Sequence, residues 1–307
     1  MDLVVFGAGS LGSLVGGVLA REHDVTLVAR SAHADAVRTS GLRLTGQFDE
    51  RVRPAATTGG RRLEGDLAIV TVKSFDTEVA AEALATGSFE AVLSLQNGIG
   101  NETTLARHLD CPVLAGTASY GAVLRKPGVV ECTGLGEVVL GARDGGRSST
   151  ADRVGAAFDD AGLETSVADD MPRRLWEKLA VNAGINAITA LTRTENAALL
   201  EGEANALARS AAREAARVAR ATDVALSNRS ALAAVEDVAT ATAANTSSMH
   251  QDLRATRRTE IDAINGYVVD RAAERGLEVP TNRVLTGLIR TWERDRGLRE
   301  ERDGSSA

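Results

Sequence analysis

Residues 2–12, "DLVVFGAGSLG", set a short apolar, β-branched run directly against glycines spaced G-x-G-x-x-G, and the following "SLVGGVLARE" continues as a small-residue helix. The hexapeptide alone is a weak signal. Following a strand and opening a helix, it stands in the context that its chemistry requires. Gly7 permits a tight turn, Gly9 lets a pyrophosphate approach the backbone, and Gly12 allows helix and strand to pack closely. The turn of Gly7, Ala8, Gly9, Ser10, Leu11 and Gly12 is therefore the expected dinucleotide-binding loop, with the phosphates at the helix's positive end.

The pattern downstream agrees. "DVTLVAR" reads as the next strand, and "DLAIVTVK" and "AVLSLQNG" as near-continuous apolar strands of a parallel sheet covered on both faces. "PVLAGTASYGAVL", "GVVECTG" and "EVVLGAR" are expected as further strands at the far side of the same sheet, and "STADRVGAAFDDAG" as one more helix. From about residue 170 the period becomes helical. "DDMPRRLWEKLAVN" carries helix-start signals in its Asp residues and Pro172. "EANALARSAAREAARVARAT", "RSALAAVEDVATATAAN", "RTEIDAINGYVVDRAAERG" and "TNRVLTGLIRTWERDRG" are predicted helices. The expected architecture is α/β: a Rossmann-like doubly wound sheet over residues 1–169, then an all-α domain over 170–307. Its tail, 300–307, is expected to be disordered.

Composition narrows the function. At 307 residues two domains are the first expectation, and no apolar run approaches a membrane span. The start "MDLVVFGAG" runs straight into a strand-like segment without a basic stretch, so no signal peptide is expected. Cys111 and Cys132 are too few for a disulfide framework, and four scattered histidines give no metal-ligand cluster. A net charge of −7 argues against general nucleic-acid binding. A soluble, cytoplasmic protein without a metal site, a nucleic-acid partner or a membrane span is the expectation.

The second strand ends in Arg30, where an enzyme that prefers NAD usually places an acid against the ribose hydroxyls. A guanidinium pairs with a 2′-phosphate instead, so NADP(H) is the expected cofactor. Lys73 and Asn97 follow the third and fourth apolar strands of the parallel series, at the sheet end where such folds bind ligands, although "QNG" is also a plain turn signal.

A second polar set lies in "LWEKLAVNAGINAITAL". Lys178, Asn182 and Asn186 fall at i, i+4 and i+8 and stack along one stripe of an otherwise apolar helix. Of 35 basic residues only Lys73, Lys126 and Lys178 are lysines. Lys, unlike Arg, can surrender a proton when partly buried, which makes Lys178 a candidate acid. Alone, the stripe also fits a lysine reaching solvent and asparagines bonded to backbone.

Further on, "ANTSSMHQDLRATRRTEIDAING" holds Ser247, Ser248, Asp252, Glu260, Asp262 and Asn265. With "GAGSLG", "VTVK", "LQNGIG" and "KLAVNAGIN", this order of motifs resembles the ketopantoate reductase family over nearly the whole chain. The resemblance implies that Gly7 to Gly12 hold the pyrophosphate and Arg30 the 2′-phosphate, with Lys73 and Ala122 near the cofactor. Asn97 would meet both the nicotinamide end and the substrate. Lys178 matches the general acid, and Asn182, Asn186, Asn196 and Ser248 match substrate-binding positions. Glu260 matches the acid beside the reaction centre, counted both as catalytic and as a cofactor contact. Gly184 and Ala187 depart from the pattern and bear only on pocket shape.

The implied reaction is NADPH-dependent reduction of 2-dehydropantoate to (R)-pantoate. Hydride goes to C2 while an ammonium stabilises and protonates the carbonyl oxygen. The Lys178 stripe is then expected to line the interdomain cleft opposite the nicotinamide, with Glu260 orienting or reprotonating Lys178. A related reductase of another 2-keto or 3-hydroxy acid is the alternative, and an NADP sensor without turnover is a third, for which Lys178 and Glu260 have no use. The resemblance allows a homodimer as well as a monomer.

Overall fold

The structure, a computed structural model, describes residues 1–299, so the disordered tail expected over 300–307 lies outside the described residues. Two compact units emerge: Met1–Gln96 with Gly100–Pro172, and Asn97–Ile99 with the chain from Arg173 onward.

The first unit carries strands β1 (Asp2–Phe6), β2 (Asp24–Val28), β3 (Leu42–Gly46), β4 (Glu50–Val52), β5 (Ala55–Thr57) and β6 (Glu64–Val70). There follow β7 (Ser88–Ser94), β8 (Val113–Ala118), β9 (Gly121–Lys126), β10 (Val129–Gly134), β11 (Val138–Ala142) and β12 (Thr165–Val167). Among the described residues the larger sheet has eight strands, ordered β12-β11-β8-β7-β6-β1-β2-β5. From β5 to β8 every neighbouring pair is parallel, in the strand order of a dinucleotide-binding doubly wound fold. β11 pairs antiparallel with β8, and β12 runs parallel to β11.

Both faces of this sheet are covered. On β6, Leu67 and Ile69 join one core cluster while Ala68 and Val70 join another, and β7 divides Leu93 from Val92 in the same way. Alternate side chains thus enter two different cores, which is why "LAIV" is apolar throughout. Helices α1 (Ser10–Leu19) and α2 (Ser31–Ser40) lie between the early strands, and α3 (Thr77–Leu84), α4 (Asn101–His108) and α5 (Ser149–Asp160) between the later ones. Val154 and Phe158 of α5 share a core with Leu14 and Val18 of α1, whereas Ala80 and Leu84 of α3 and Leu105 of α4 fill the other.

The strands after β8 depart from expectation. β9 and β10 do not extend the main sheet but form a second, four-stranded sheet with two strands that the sequence reading passed over, in the order β4-β3-β10-β9. β11 instead takes the edge of β8, opposing Val138 to Ala118 and Ala142 to Leu114. Only two residues separate β8 from β9, so the change of sheet leaves no linker in the sequence. The small residues of α1 answer to both sheets. A Cβ on Gly16 would meet Leu27 and Val5 of the main sheet, and one on Gly17 would meet Leu42 and Leu44 of the second.

The second unit carries α6 (Met171–Thr192, whose first two residues count with the first unit), α7 (Gly202–Ala221), α8 (Asn228–Ala241), α9 (Ser248–Arg254), α10 (Tyr267–Glu274) and α11 (Pro280–Asp295). α7 buries Ala208, Ala211, Ala212, Ala215 and Ala219, while Arg213, Arg217 and Arg220 stay exposed, the amphipathic pattern of its sequence. A Cβ on Gly184 would come within 3.0 Å of the Ala208 carbonyl oxygen, so that departure from the family pattern serves packing of α6 on α7. The single helix expected over "RTEIDAINGYVVDRAAERG" is broken. Asp262–Gly266 forms a π turn, with the Gly266 N–H donating to Ile261 O five residues back at 2.8 Å, before α10 begins. Such turns accommodate one extra residue and recur at functional sites.

Candidate cofactor and catalytic sites

At the fingerprint the three glycines do three different things. Gly7 has φ +104°, and a Cβ there would lie 2.7 Å from the Val72 nitrogen. A Cβ on Gly12 would lie 2.7 Å from the Gly7 carbonyl oxygen and against the Thr71 hydroxyl, which itself donates to that carbonyl at 2.9 Å. Gly9 is exposed at the start of α1, and a Cβ there would find its nearest atom 3.9 Å away. Gly7 and Gly12 are thus required by the protein itself, whereas Gly9 leaves open space that a side chain would fill. The first-turn N–H groups of Ser10, Leu11 and Gly12 have no acceptor within the helix, and they open toward the positive end of its dipole. This cradle fits a pyrophosphate. Ala8 is buried, and the Ser10 hydroxyl is already used, accepting from the Leu124 N–H of β9 at 3.0 Å.

A buried histidine fixes the loop. His33, in the first turn of α2, is 4 % exposed, and its Nδ1 accepts from the Gly128 N–H at 3.0 Å. Nε2 must then carry the ring proton, and it lies 3.0 Å from the Ser13 hydroxyl, which donates to the Ala8 carbonyl at 3.2 Å. Burial lowers the His33 pKa, consistent with the neutral ring that this arrangement needs. His33 was legible only as one of four scattered histidines; its place three residues after Arg30 is the signal that could have pointed to it.

Arg30 ends the segment after β2 and caps α2 through its carbonyl, which accepts from the His33 and Ala34 N–H groups. Its side chain is exposed and makes no hydrogen bond or ion pair among the described residues. Lys73, half-buried, begins a short 3-10 turn just past β6. Ala122 lies on β9, opposite Cys132, in the second sheet.

In the second unit α6 carries Lys178, Asn182 and Asn186 on its one stripe. Lys178 and Asn182 are half-buried and Asn186 is 5 % exposed. Glu260, also 5 % exposed, accepts a hydrogen bond of 3.2 Å from Asn97 Nδ2, which brings Asn97 and "TEID" together in this unit. Asn196 is buried. Its Nδ2 donates to the Thr242 hydroxyl at 2.8 Å, while its Oδ1 has no partner among the described residues.

The rest of the polar cluster sorts into distinct uses. Ser247 caps α9, accepting from the His250 N–H, and lies 2.8 Å from the Thr189 hydroxyl. Ser248 begins the helix and is exposed. Asp252 pairs with Arg257. Asn265 is fully buried and donates to the Ala183 carbonyl of α6 at 3.1 Å and to Asn282 at 3.0 Å. Burial pushes the Asp262 carboxyl up, but the guanidiniums of Arg299 and Arg290 outweigh it and hold the carboxyl below the ordinary carboxylate range. The described residues hold no group of three His, Cys, Asp or Glu side chains able to bind a metal ion, and no helix among them is long and apolar enough to cross a membrane.

A doubly wound sheet with a dinucleotide fingerprint on one unit, and a helical unit that carries both a lysine–carboxamide stripe and a buried carboxylate, are the features of a two-unit oxidoreductase of the Rossmann class. The chain belongs to the ketopantoate reductase family, whose members reduce ketopantoate to pantoate: the family models "Ketopantoate reductase PanE/ApbA" and "Ketopantoate reductase PanE/ApbA C terminal" match residues 3–145 and 170–293. The 2-dehydropantoate 2-reductase of Halobacterium salinarum is 44 % identical over 306 residues, covering 96 % of this chain and 100 % of that protein. That of Archaeoglobus fulgidus is 37 % identical, with 94 % and 97 % covered. Among solved structures, a PanE/ApbA family ketopantoate reductase from Ralstonia eutropha JMP134 is similar with a TM-score of 0.90 at 37 % identity, covering 97 % of this chain and 100 % of that one. D-mandelate dehydrogenase in complex with NADH has a TM-score of 0.86 at 25 % identity, with 96 % and 99 % covered.

Proposed function

We propose that this chain catalyses the NADPH-dependent reduction of 2-dehydropantoate to (R)-pantoate, with Lys178 as general acid. The first unit, expected over residues 1–169, is the cofactor carrier and the helical unit is the substrate carrier. The observation that carries the reaction type is the Asn97–Glu260 hydrogen bond, which sets a buried carboxylate and a carboxamide in the same unit as the Lys178 stripe. The substrate follows from the names of the relatives, whose matches cover 96 % and 94 % of the chain.

The open face of Gly9 and the unpaired guanidinium of Arg30 fit NADPH, the first at the pyrophosphate and the second at the 2′-phosphate. Lys73 and Ala122 belong to the same cofactor surface in this reading. When bound, the cofactor supplies the hydride for C2. As negative charge grows on the carbonyl oxygen, the Lys178 ammonium stabilises it and then donates the proton. Asn97, Asn182, Asn186, Asn196 and Ser248 offer donors and acceptors without net charge, suited to a carboxylate and a terminal hydroxyl. Glu260 orients Lys178 or returns its proton. The enzyme is taken to be cytoplasmic.

The test follows NADPH absorbance with 2-dehydropantoate for the native protein and for Lys178→Ala. Oxidation in the native protein that falls at least ~10²-fold in the variant supports both reaction and acid. Activity surviving in the variant overturns the role of Lys178 alone. NADPH binding without oxidation directs the reading to another 2-keto acid, the alternative that the likeness to D-mandelate dehydrogenase favours.

A further inference from the structure

Glu260 stands in an irregular stretch. Thr256 has φ +48°, no regular helix spans 257–260, and the π turn follows at once. Its carbonyl accepts from the Ala263 and Ile264 N–H groups of the turn that follows, each at 3.1 Å, so it is the N-terminal side of Glu260 that needs another fixture.

The fixture comes from α11. Glu293 is fully buried, and its Oε1 accepts two hydrogen bonds from Thr259, one from the backbone N–H and one from Oγ1, each 2.7 Å long. The Thr259 Oγ1 in turn accepts from the Ile261 N–H at 3.2 Å. The N–H groups on either side of Glu260 thus both end on the Thr259–Glu293 pair. The other carboxylate oxygen, Oε2, accepts from Arg299 Nε and Nη2 at 2.9 and 2.8 Å, so the buried charge has its counter-ion. Arg299 also reaches Asp262 at 2.5 Å, and Arg290 Nε donates to Asp262 at 2.8 Å. Thr259 and Asp262 are clamped, and between them the Glu260 carboxylate meets Asn97.

We propose that Glu293 is a positioning residue: acting through Thr259, it sets the backbone of Glu260 so that the carboxylate is aimed for the reaction. The proposal rests on the reading of Glu260 given above. A displacement near 1 Å in a reacting constellation can cost about 10²-fold in rate, so a buried clamp one residue from the carboxylate has leverage on turnover. The clamp also holds the fold together, and the experiment must separate the two roles.

Glu293→Gln would leave Arg299 beside a neutral amide and is prone to misfold, so the principal variant is Thr259→Val. It keeps the branched shape and the backbone N–H and removes only the hydroxyl. We expect kcat for 2-dehydropantoate reduction to fall about tenfold in Thr259→Val and to return in Thr259→Ser. Introduced into Glu260→Gln, Thr259→Val should cause no further loss, because the group it aims is already gone. Melting curves of the native protein and all four variants verify that each is folded. An equal loss in both backgrounds makes the clamp purely structural and overturns the proposal, as does native kcat in Thr259→Val beside an impaired Glu260→Gln. Full activity in Glu260→Gln overturns the reading of Glu260 and the proposal with it, and that arm touches neither Thr259 nor Glu293, so the two failures are distinguishable.

Discussion

Asn97 donates a hydrogen bond of 3.2 Å to the buried carboxylate of Glu260, although the two are 163 positions apart in the chain. The turn after β7 is thereby tied to the segment that precedes α10. A hydrogen bond to a charged group contributes about 1.5–3 kcal/mol, and kcat/KM should drop about 10- to 100-fold in Asn97→Ala. Asn97→Asp should be worse at neutral pH, since two carboxylates at this distance resist being ionised together. Steady-state kinetics of both variants decide it. Native activity in Asn97→Asp would mean that the contact has no part in turnover.

Arg30 makes no ion pair among the described residues, so its removal should leave stability alone and act only on the cofactor. If the guanidinium pairs with a 2′-phosphate, Arg30→Ala should raise the KM for NADPH about 10- to 100-fold, the worth of a charge-assisted pair, and hardly move that for NADH. Equal changes with both cofactors would remove Arg30 from the 2′-phosphate.

The glycines of the fingerprint separate folding from binding. Gly9 faces open space, so Gly9→Ala should fold with nearly native Tm and bind NADPH at least about tenfold more weakly. Gly12→Ala would drive a methyl to 2.7 Å from the Gly7 carbonyl oxygen, an overpacking that costs about 1–3 kcal/mol and several degrees of Tm. Calorimetry with a fluorescence titration of NADPH measures both. A reversed order, with Gly9→Ala the less stable, would mean that the loop is built otherwise.

What could be read from the sequence was local or periodic. The fingerprint is a contiguous hexapeptide legible by its spacing, although two of its glycines also answer to Thr71 or Val72 just past β6, and the α6 stripe is fixed by helical period alone. The parallel core was legible because β6 and β7 are buried on both faces. The second sheet was not, because β9 follows β8 after two residues and its partners depend on which edge β11 takes. Glu260 stood out through a family pattern, but the Thr259–Glu293 contact spans 34 residues and joins a threonine and a helical glutamate that nothing in the sequence links. His33 was hidden for the same reason. Its partners Ser13 and Gly128 lie 20 and 95 residues away, and a lone histidine announces neither.

That histidine gives the molecule a pH response. The Gly128 N–H donates to Nδ1 at 3.0 Å, so a protonated ring would set two N–H groups against each other and break the His33–Gly128 contact that holds the ring beside Ser13, whose hydroxyl bonds the Ala8 carbonyl. Burial lowers the folded-state pKa of His33 below its ordinary value of 6.5, so between those two values the unfolded chain binds the proton more readily. The stability contributed by the neutral ring is complete above pH 6.5 and is lost as the pH falls through 6.5 toward the folded-state pKa. His33→Asn offers an amide oxygen near the place of Nδ1 and does not titrate there. Urea midpoints measured from pH 5 to 8 should fall more steeply on the acid side in the native protein than in the variant, with the two curves parallel above pH 7. NADPH affinity should weaken over the same acid range in the native protein, because the ring supports the fingerprint loop. Parallel urea curves throughout would show that His33 stays neutral at no measurable cost, and the loop would then owe its pH behaviour, if any, to other groups.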